Sequence, residues 1–150
     1  MKTLFQPAQL REIQERLQQL QPDSSRQWGK MTPAQALAHC STGLETATGQ
    51  LRPPRLWLGR LIGRLVKPIA FREDEPMRRN VPTAQCLIVA DDRDFAAERE
   101  RLAAGLDRFA VAGAAGCTAH PHIFFGPLTP AEWGVLTYKH IDHHLRQFGA

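Results

Sequence analysis

The chain has 150 residues, a length that suits one domain and buries a sizeable core without a disulfide or metal to hold it together. Hydrophobic residues make up 43% and charged residues 23% of it, which excludes a disordered tail protein, a collagen-like chain and a disulfide-rich miniprotein. The formal net charge of +4 permits weak attraction to anions without requiring it. Nucleic-acid modules usually combine such charge with interleaved aromatics or a recognisable motif. We find neither and expect no nucleic-acid partner.

The remaining composition bears on location. No apolar run is long enough to span a bilayer, and the first residues lack the apolar core of a signal peptide. The cysteines are odd in number and scattered, which fits reduced thiols. We therefore expect residues 1–150 to form a single cytoplasmic domain with no stable membrane association.

The first two predicted helices rest on periodicity and on a cap. Apolar residues at three- and four-residue steps predict a helix over 7–20. Thr32 before Pro33, with Gln35 three positions after Thr32, forms a capping box and predicts a second helix that runs to about Thr48. The apolar stripes are Leu10, Ile13, Leu17 and Leu20 in the first helix, and Ala36, Cys40, Leu44 and Ala47 in the second.

The middle of the chain is more irregular. Residues 55–67 form a strongly amphipathic segment, and residues 68–83 are charged and interrupted by proline, which predicts a long loop. Residues 86–90 could form a short extended piece. The acidic run at 91–94 suits a helix N-terminus, and the apolar stripe of this fourth helix is Phe95, Leu102, Leu106 and Phe109.

The last predicted helix repeats the capping pattern of the second. Thr129, Pro130 and Glu132 form another capping box, after a loop over 113–127, and predict a helix over 130–148. No strong strand alternation occurs in the sequence. We therefore predict an all-α fold, with four helices in an antiparallel bundle, an additional helical segment and a long loop.

Three of the six histidines lie on this last helix. His140 and His144 fall on one line with Trp133 to within about 20° on a helical projection. Their Cβ atoms would lie about 5–6 Å apart, so both imidazoles could reach one divalent ion. His143 projects to another face. An isolated pair of this kind is often merely solvated, but the position beside a tryptophan favours buried histidines that need partners.

A third ligand could come from the second helix. His39 lies at the edge of its apolar stripe, beside the small residues Ala36 and Gly43. Alone, His39 would more often be an ordinary partly buried histidine. Together, His39, His140 and His144 make a candidate metal site, and the three matter more as a set than any one of them.

Two stretches of the chain resemble a known superfamily. Residues 32–40 and 138–148, with the lead-in Gln27–Met31 and the aromatic stretch Phe124–Gly134, resemble the DinB/YfiT-like superfamily of metalloenzymes, and within it an uncharacterised domain-of-unknown-function branch. The resemblance implies a four-helix bundle, often dimeric, whose three histidines hold a divalent metal. Those positions correspond here to His39, His140 and His144. Known activities of the superfamily include thiol-dependent transfers and some isomerisations.

These observations predict a metal-dependent enzyme that acts on a small molecule, by thiol-dependent transfer or by hydrolysis. Imidazole ligands suit zinc, nickel or iron, and the sequence does not choose among them. No general acid or base stands out. Two alternatives stay open, a non-catalytic metal-binding stress or sensor protein and a helical interaction module. The apolar face of residues 55–67 could also support a homodimer.

Several other residues receive a less specific interpretation. His120 and His122 are interpreted as part of a polar loop, although they could border a pocket. Cys40 is interpreted as a buried structural thiol, and Trp28 and Trp133 as core residues.

The sequence assigns no role to the polar residues considered as partners of the candidate site. Gln35, Glu132 and Tyr138 are left without an assigned role beside the ligands. The arginines of the third segment are interpreted as a solvated face, which could otherwise meet an anionic substrate or a membrane surface. The acids Glu73, Asp74 and Glu75 soften their charge.

Overall fold

The computed structural model describes residues 1–72 and 76–150. The acids at 73–75 therefore lie outside the described residues. The described chain contains five α-helices and no strand, which confirms the all-α prediction. The helices are α1 (Pro7–Gln19), α2 (Pro33–Thr48), α3 (Trp57–Ala70), α4 (Phe95–Ala112) and α5 (Pro130–Gln147).

Both predicted capping boxes are present. The Thr32 hydroxyl accepts from the Gln35 backbone N–H at 3.2 Å, and the Thr32 N–H donates to the Gln35 side-chain oxygen at 3.0 Å. Thr129 and Glu132 make the same reciprocal pair at 3.2 and 2.8 Å. These bonds satisfy N–H groups that a helix N-terminus leaves without partners. They fix where α2 and α5 begin, and those two helices carry the histidines.

The core lies among four of the helices. Both α1 and α2 pack against both α4 and α5, and the predicted apolar stripes face inward. The four-helix bundle arrangement and the antiparallel course of its helices stay predictions. The largest fully buried side chains are Leu4, Ile13, Leu20, Leu102, Leu106, Phe109, Ile141 and Leu145.

Helix α3 differs from its prediction at both ends. It begins at Trp57 rather than Arg55 and runs on through Pro68 to Ala70. Lys139 Nζ donates to the Ala70 carbonyl at 2.9 Å and so satisfies one of the carbonyls that the end of a helix leaves without a partner. Its buried residues are Gly59 and Gly63. A Cβ at Gly59 would lie 2.6 Å from the Phe124 carbonyl oxygen, and one at Gly63 would also collide with that oxygen. The two glycines therefore let α3 sit directly on the backbone at Phe124.

Two connecting segments contain short 3-10 turns. Residues Gln85–Leu87 form one of them, so the extended piece predicted at 86–90 is wrong at its start. Residues Gly113–Gly116 form the other, within the predicted loop. None of the described helices combines the length and apolar composition that crossing a bilayer requires.

Candidate metal centre

The three predicted ligands come together between α2 and α5. One ring nitrogen from each of His39, His140 and His144 lies within 4.8 Å of the other two. The ring centroids are 4.8 Å apart for His39 and His140, 5.1 Å for His39 and His144, and 5.0 Å for His140 and His144. The rings thus form a nearly equilateral triangle. Among the described residues this is the one group of histidine, cysteine and acidic side chains compact enough to hold an ion.

A backbone carbonyl orients His39. Its Nδ1 lies 3.0 Å from the carbonyl oxygen of Leu87, in the 3-10 turn between α3 and α4. A carbonyl oxygen only accepts, so Nδ1 carries the proton and donates. In the neutral ring, Nε2 then keeps its lone pair for a metal ion, and a carbonyl on the other ring nitrogen is a common partner of a metal-bound histidine.

A side-chain amide orients His144 in the same way. Its Nδ1 lies 2.8 Å from Oε1 of Gln147, which is three residues further along α5. Nε2 of Gln147 donates to the Trp28 carbonyl at 2.9 Å, and this second bond settles which end of the amide faces the histidine. Gln147 is itself buried, with 3% of its surface exposed. The His144 proton therefore also lies on Nδ1, and Nε2 is available as a ligand.

A glycine makes room for His140. A Cβ at Gly43 would lie 2.9 Å from Nδ1 and 3.1 Å from Cε1 of His140. Any side chain on that position of α2 would therefore compete with the imidazole for space. Gly43 lies beside His39 on α2, but the residue it affects belongs to α5. Without a side chain at Gly43, the His140 ring can lie against α2.

The environment keeps the three rings neutral. Burial lowers the pKa of His39 and lowers that of His140 well below the ordinary value. Burial, aided by the neighbouring His39, lowers the pKa of His144 to about 3. Because a metal ion binds the unprotonated imidazole, such a cluster is ready to bind without first losing protons near neutral pH.

His143 lies beside the cluster and not in it, as predicted. Its ring is 5.1 Å from that of His144 and 5.4 Å from Trp28, and its nitrogen is absent from the compact group. The Arg79 guanidinium lies over the Trp28 ring, 4.0 Å from its centroid. Trp28 is only half-buried, so its assignment to the core is wrong: it covers the edge of α5.

His122 is a packed structural residue rather than part of a merely polar loop. Its Nδ1 accepts backbone N–H groups of Phe124 and Phe125 at 3.2 and 3.1 Å. Its ring stacks on Phe125 at 4.9 Å and meets Trp133 at 5.6 Å. His122 therefore shapes the turn on which α3 sits. His120 is half-buried, with Nε2 lying 3.3 Å from the carbonyl oxygen of Pro53.

The other residues named from the sequence lie outside the histidine cluster and have structural roles. Cys40 is buried and burial raises the pKa of its thiol, so it stays protonated and structural. Trp133 is a core residue with 2% exposure. Gln35 and Glu132 serve in the capping boxes, and the Tyr138 hydroxyl donates to Glu12 at 3.0 Å. The partners of the cluster histidines are Leu87 and Gln147 instead.

Replacing Gly43 with alanine is expected to separate metal affinity from stability. The added Cβ would push the His140 ring away, and we expect metal binding about tenfold weaker. Alanine also raises helix propensity by up to about 1 kcal/mol, so stability without metal should not fall by the same measure. Competition titration with a metal-binding dye measures the affinity. Gly105→Ala in α4, where a Cβ would meet only Leu44 within 3.4 Å, is the matched control; equal affinities in both variants would contradict this role of Gly43.

Acid is expected to destabilise the metal-free chain, in part through His122. Burial and the nearby Arg55 lower the pKa of His122 from 6.5 to about 4. Between these values the unfolded chain binds a proton that the folded chain does not, so stability falls as the pH falls below 6.5. Urea unfolding at about pH 7 and about pH 5 should show a loss that His122→Asn reduces by about 1–2 kcal/mol. An identical loss in the variant would show that His122 titrates normally.

The comparisons with known proteins add one finding. The family model described as "Protein of unknown function (DUF1569)" matches residues 3–150. Neither the curated proteins nor the solved structures provide a significant match.

Proposed function

The chain belongs to the DUF1569 family, and we propose that it is a metal-dependent enzyme in which His39, His140 and His144 hold one divalent ion. We also propose that the chain is related to the DinB-like metalloenzymes and that its substrate is a small molecule. The reaction class that fits best is transfer to or from a low-molecular-weight thiol, or hydrolysis. Zinc, nickel and iron are the ions that this donor set favours.

The observation that carries the proposal is the match between the donor set and its supports. Three neutral imidazoles converge, two of them have their proton held on Nδ1 by Leu87 and Gln147, and Gly43 leaves space for the third. Buried histidines without such a purpose would cost free energy, since each polar ring needs partners. A convergent arrangement with oriented rings is what a metal ligand set requires.

The chemistry follows from the number of ligands. An ion bound by three histidines keeps an open coordination position, where it would lower the pKa of a bound water or thiol or polarise a carbonyl group. The chain's own residues do the rest: the Leu87 carbonyl and the Gln147 amide hold the rings in orientation. Ile141 and Leu145 are buried beside His144, with which they line a small cavity, and they keep bulk water away from that side of the cluster.

Turnover is the test of this proposal. The chain is loaded with zinc, nickel or iron and assayed for transfer between small thiols and electrophiles and for ester and amide hydrolysis. We expect metal-dependent turnover in the wild type and in the control His120→Ala, and its loss in a folded His39→Ala variant. Turnover that persists in His39→Ala, or in the presence of a chelator, would contradict the proposal.

A second function is favoured by one feature of the cluster. It consists of histidines alone, with no carboxylate or thiol of the described residues in the group that could act as a general acid or base. The ligands also come from two different helices, so an ion would join α2 to α5. A non-catalytic metal-binding protein, in which the ion stabilises the fold, has these properties. Metal bound at the three histidines without turnover in any assay would favour this second function.

A further inference from the structure

Helix α3 presents its apolar side to solvent. Trp57 is 73% exposed, Leu61 67% and Leu65 74%. Six such residues share an arc of about 140° on a helical projection, and together they are called the outer face of α3. Single exposed apolar residues are ordinary, but a contiguous set marks an interaction surface. The outer face consists of Trp57, Leu58, Leu61, Ile62, Leu65 and Ile69.

The contacts of α3 hold this face outward. On the opposite side of the helix, Gly59 and Gly63 lie against the Phe124 backbone. Lys67 pairs with Glu132 at 2.7 Å, and Lys139 Nζ donates to the carbonyl of Ala70 at 2.9 Å. A rotation that buried the outer face would break all of these contacts. The exposure therefore belongs to the way α3 is docked.

The stretch of chain that contains α3 is rich in basic residues. The described residues between Glu45 and Asp91 include eight basic side chains and no acidic one. The acids at 73–75 lie outside the described residues, and counting them still leaves a positive excess in this stretch. Arg60 and Arg64 are exposed at one edge of the outer face. The eight basic residues are Arg52, Arg55, Arg60, Arg64, Lys67, Arg72, Arg78 and Arg79.

The apolar outer face and the basic residues beside it together favour a lipid surface over a second copy of the chain as the partner of α3. In a symmetric dimer through the outer face, the same patch meets itself, which would bring the edges that carry Arg60 and Arg64 in both copies toward one another. An anionic lipid surface instead offers apolar acyl chains to the leucines and negative headgroups to the arginines. Tryptophan at the edge of a basic amphipathic helix is typical of helices that lie in a membrane interface.

We propose that α3 is an interfacial helix through which the chain binds reversibly to anionic lipid bilayers. The outer face would enter the boundary between headgroups and acyl chains, while the arginines contact the headgroups. Such binding depends on salt and is distinct from the stable association that the sequence argues against. It needs no metal ion, so its failure would leave the proposed function untouched.

Co-sedimentation of the full chain with vesicles tests this proposal. Vesicles of phosphatidylcholine mixed with phosphatidylglycerol are compared with vesicles of phosphatidylcholine alone. We expect binding to the anionic vesicles only, with most of it lost at about 0.5 M NaCl, where charge interactions are strongly screened. Leu61→Ser/Leu65→Ser should lower the partition coefficient by at least about tenfold, because two leucine side chains that would be buried in the lipid are lost. Arg60→Glu/Arg64→Glu should lower it as well.

Val111→Ser is the matched control because Val111 is 89% exposed and lies on α4, away from the outer face. It should bind as the wild type does. Absence of binding to anionic vesicles, or equal binding by the Leu61/Leu65 variant, would overturn the proposal. A wild-type dimer that the same variant converts to a monomer, with no vesicle binding, would show that a second copy covers the outer face and would also overturn it.

Discussion

Zinc added to the metal-free chain is expected to raise its free energy of unfolding by about 4 kcal/mol when the free ion exceeds the dissociation constant about a thousandfold. The proposed ion would bind a site that exists only when α2 and α5 are packed together, since His39 lies on one helix and His140 and His144 on the other. Binding energy is therefore linked to folding. Urea unfolding with and without zinc measures the difference.

His39→Ala should lose most of this zinc-dependent gain, because two imidazoles on one helix remain and the link between the helices is gone. The comparison is made within each variant, so a change in its basal stability does not affect the result. His120→Ala, which replaces a half-buried histidine outside the cluster, should keep the full gain. A gain that survives in His39→Ala would place the zinc somewhere else on the chain.

Asp142→Ala is expected to lower the free energy of unfolding by about 2–3 kcal/mol, because it breaks a charge network that is partly buried. The Asp142 carboxylate on α5 accepts from Arg16 on α1 at 2.7 Å and from Arg146 at 3.0 Å. Asp142 is 6% exposed, so water replaces its carboxylate poorly. Its removal therefore leaves the Arg16 guanidinium without its main partner. Chemical unfolding of the metal-free chain measures the loss.

The control for this variant is an exposed aspartate. Asp107→Ala removes an acceptor whose side-chain donor, among the described residues, is Gln14 at 2.7 Å, and it should cost under about 0.5 kcal/mol. Equal losses in the two variants would show that the Arg16 pair does not hold α1 against α5. In that case the position of α5 against α1 would depend on apolar packing and on the remaining bond from the Tyr138 hydroxyl to Glu12.

The helices and the histidine set could be predicted because their signals are local and periodic. Capping boxes mark N-termini through contacts three residues apart, and both occur where the sequence places them. The His140 and His144 pair follows from helical spacing. His39 required a further step, namely that two capped helices with apolar stripes pack against each other, and the structure confirms that their rings meet.

The partners of the ligands were harder to predict for different reasons. The Leu87 carbonyl belongs to the backbone, which carries no side-chain signal, and its approach to His39 depends on a turn that the sequence indicated only as an extended piece. Gln147 had a usable signal, since it follows His144 by three positions on the same helix. Its role as an oriented acceptor became clear only from its second bond, to Trp28.

The orientation of α3 shows a further limit of periodicity. An amphipathic pattern identifies an apolar face, and the usual expectation is that this face is buried. Here the glycine side is buried and the apolar face is exposed. Gly59 and Gly63, four positions apart, were the signal, because a close approach to another backbone requires residues without a Cβ.

Elemental analysis of the chain purified without a histidine tag, alongside His140→Ala/His144→Ala, measures directly whether the three histidines hold a metal ion. We expect about one divalent ion per chain in the wild type and none in the variant, because a single three-histidine site binds one ion. A wild-type chain that is empty and also takes up no added zinc, nickel, iron or manganese would contradict this expectation.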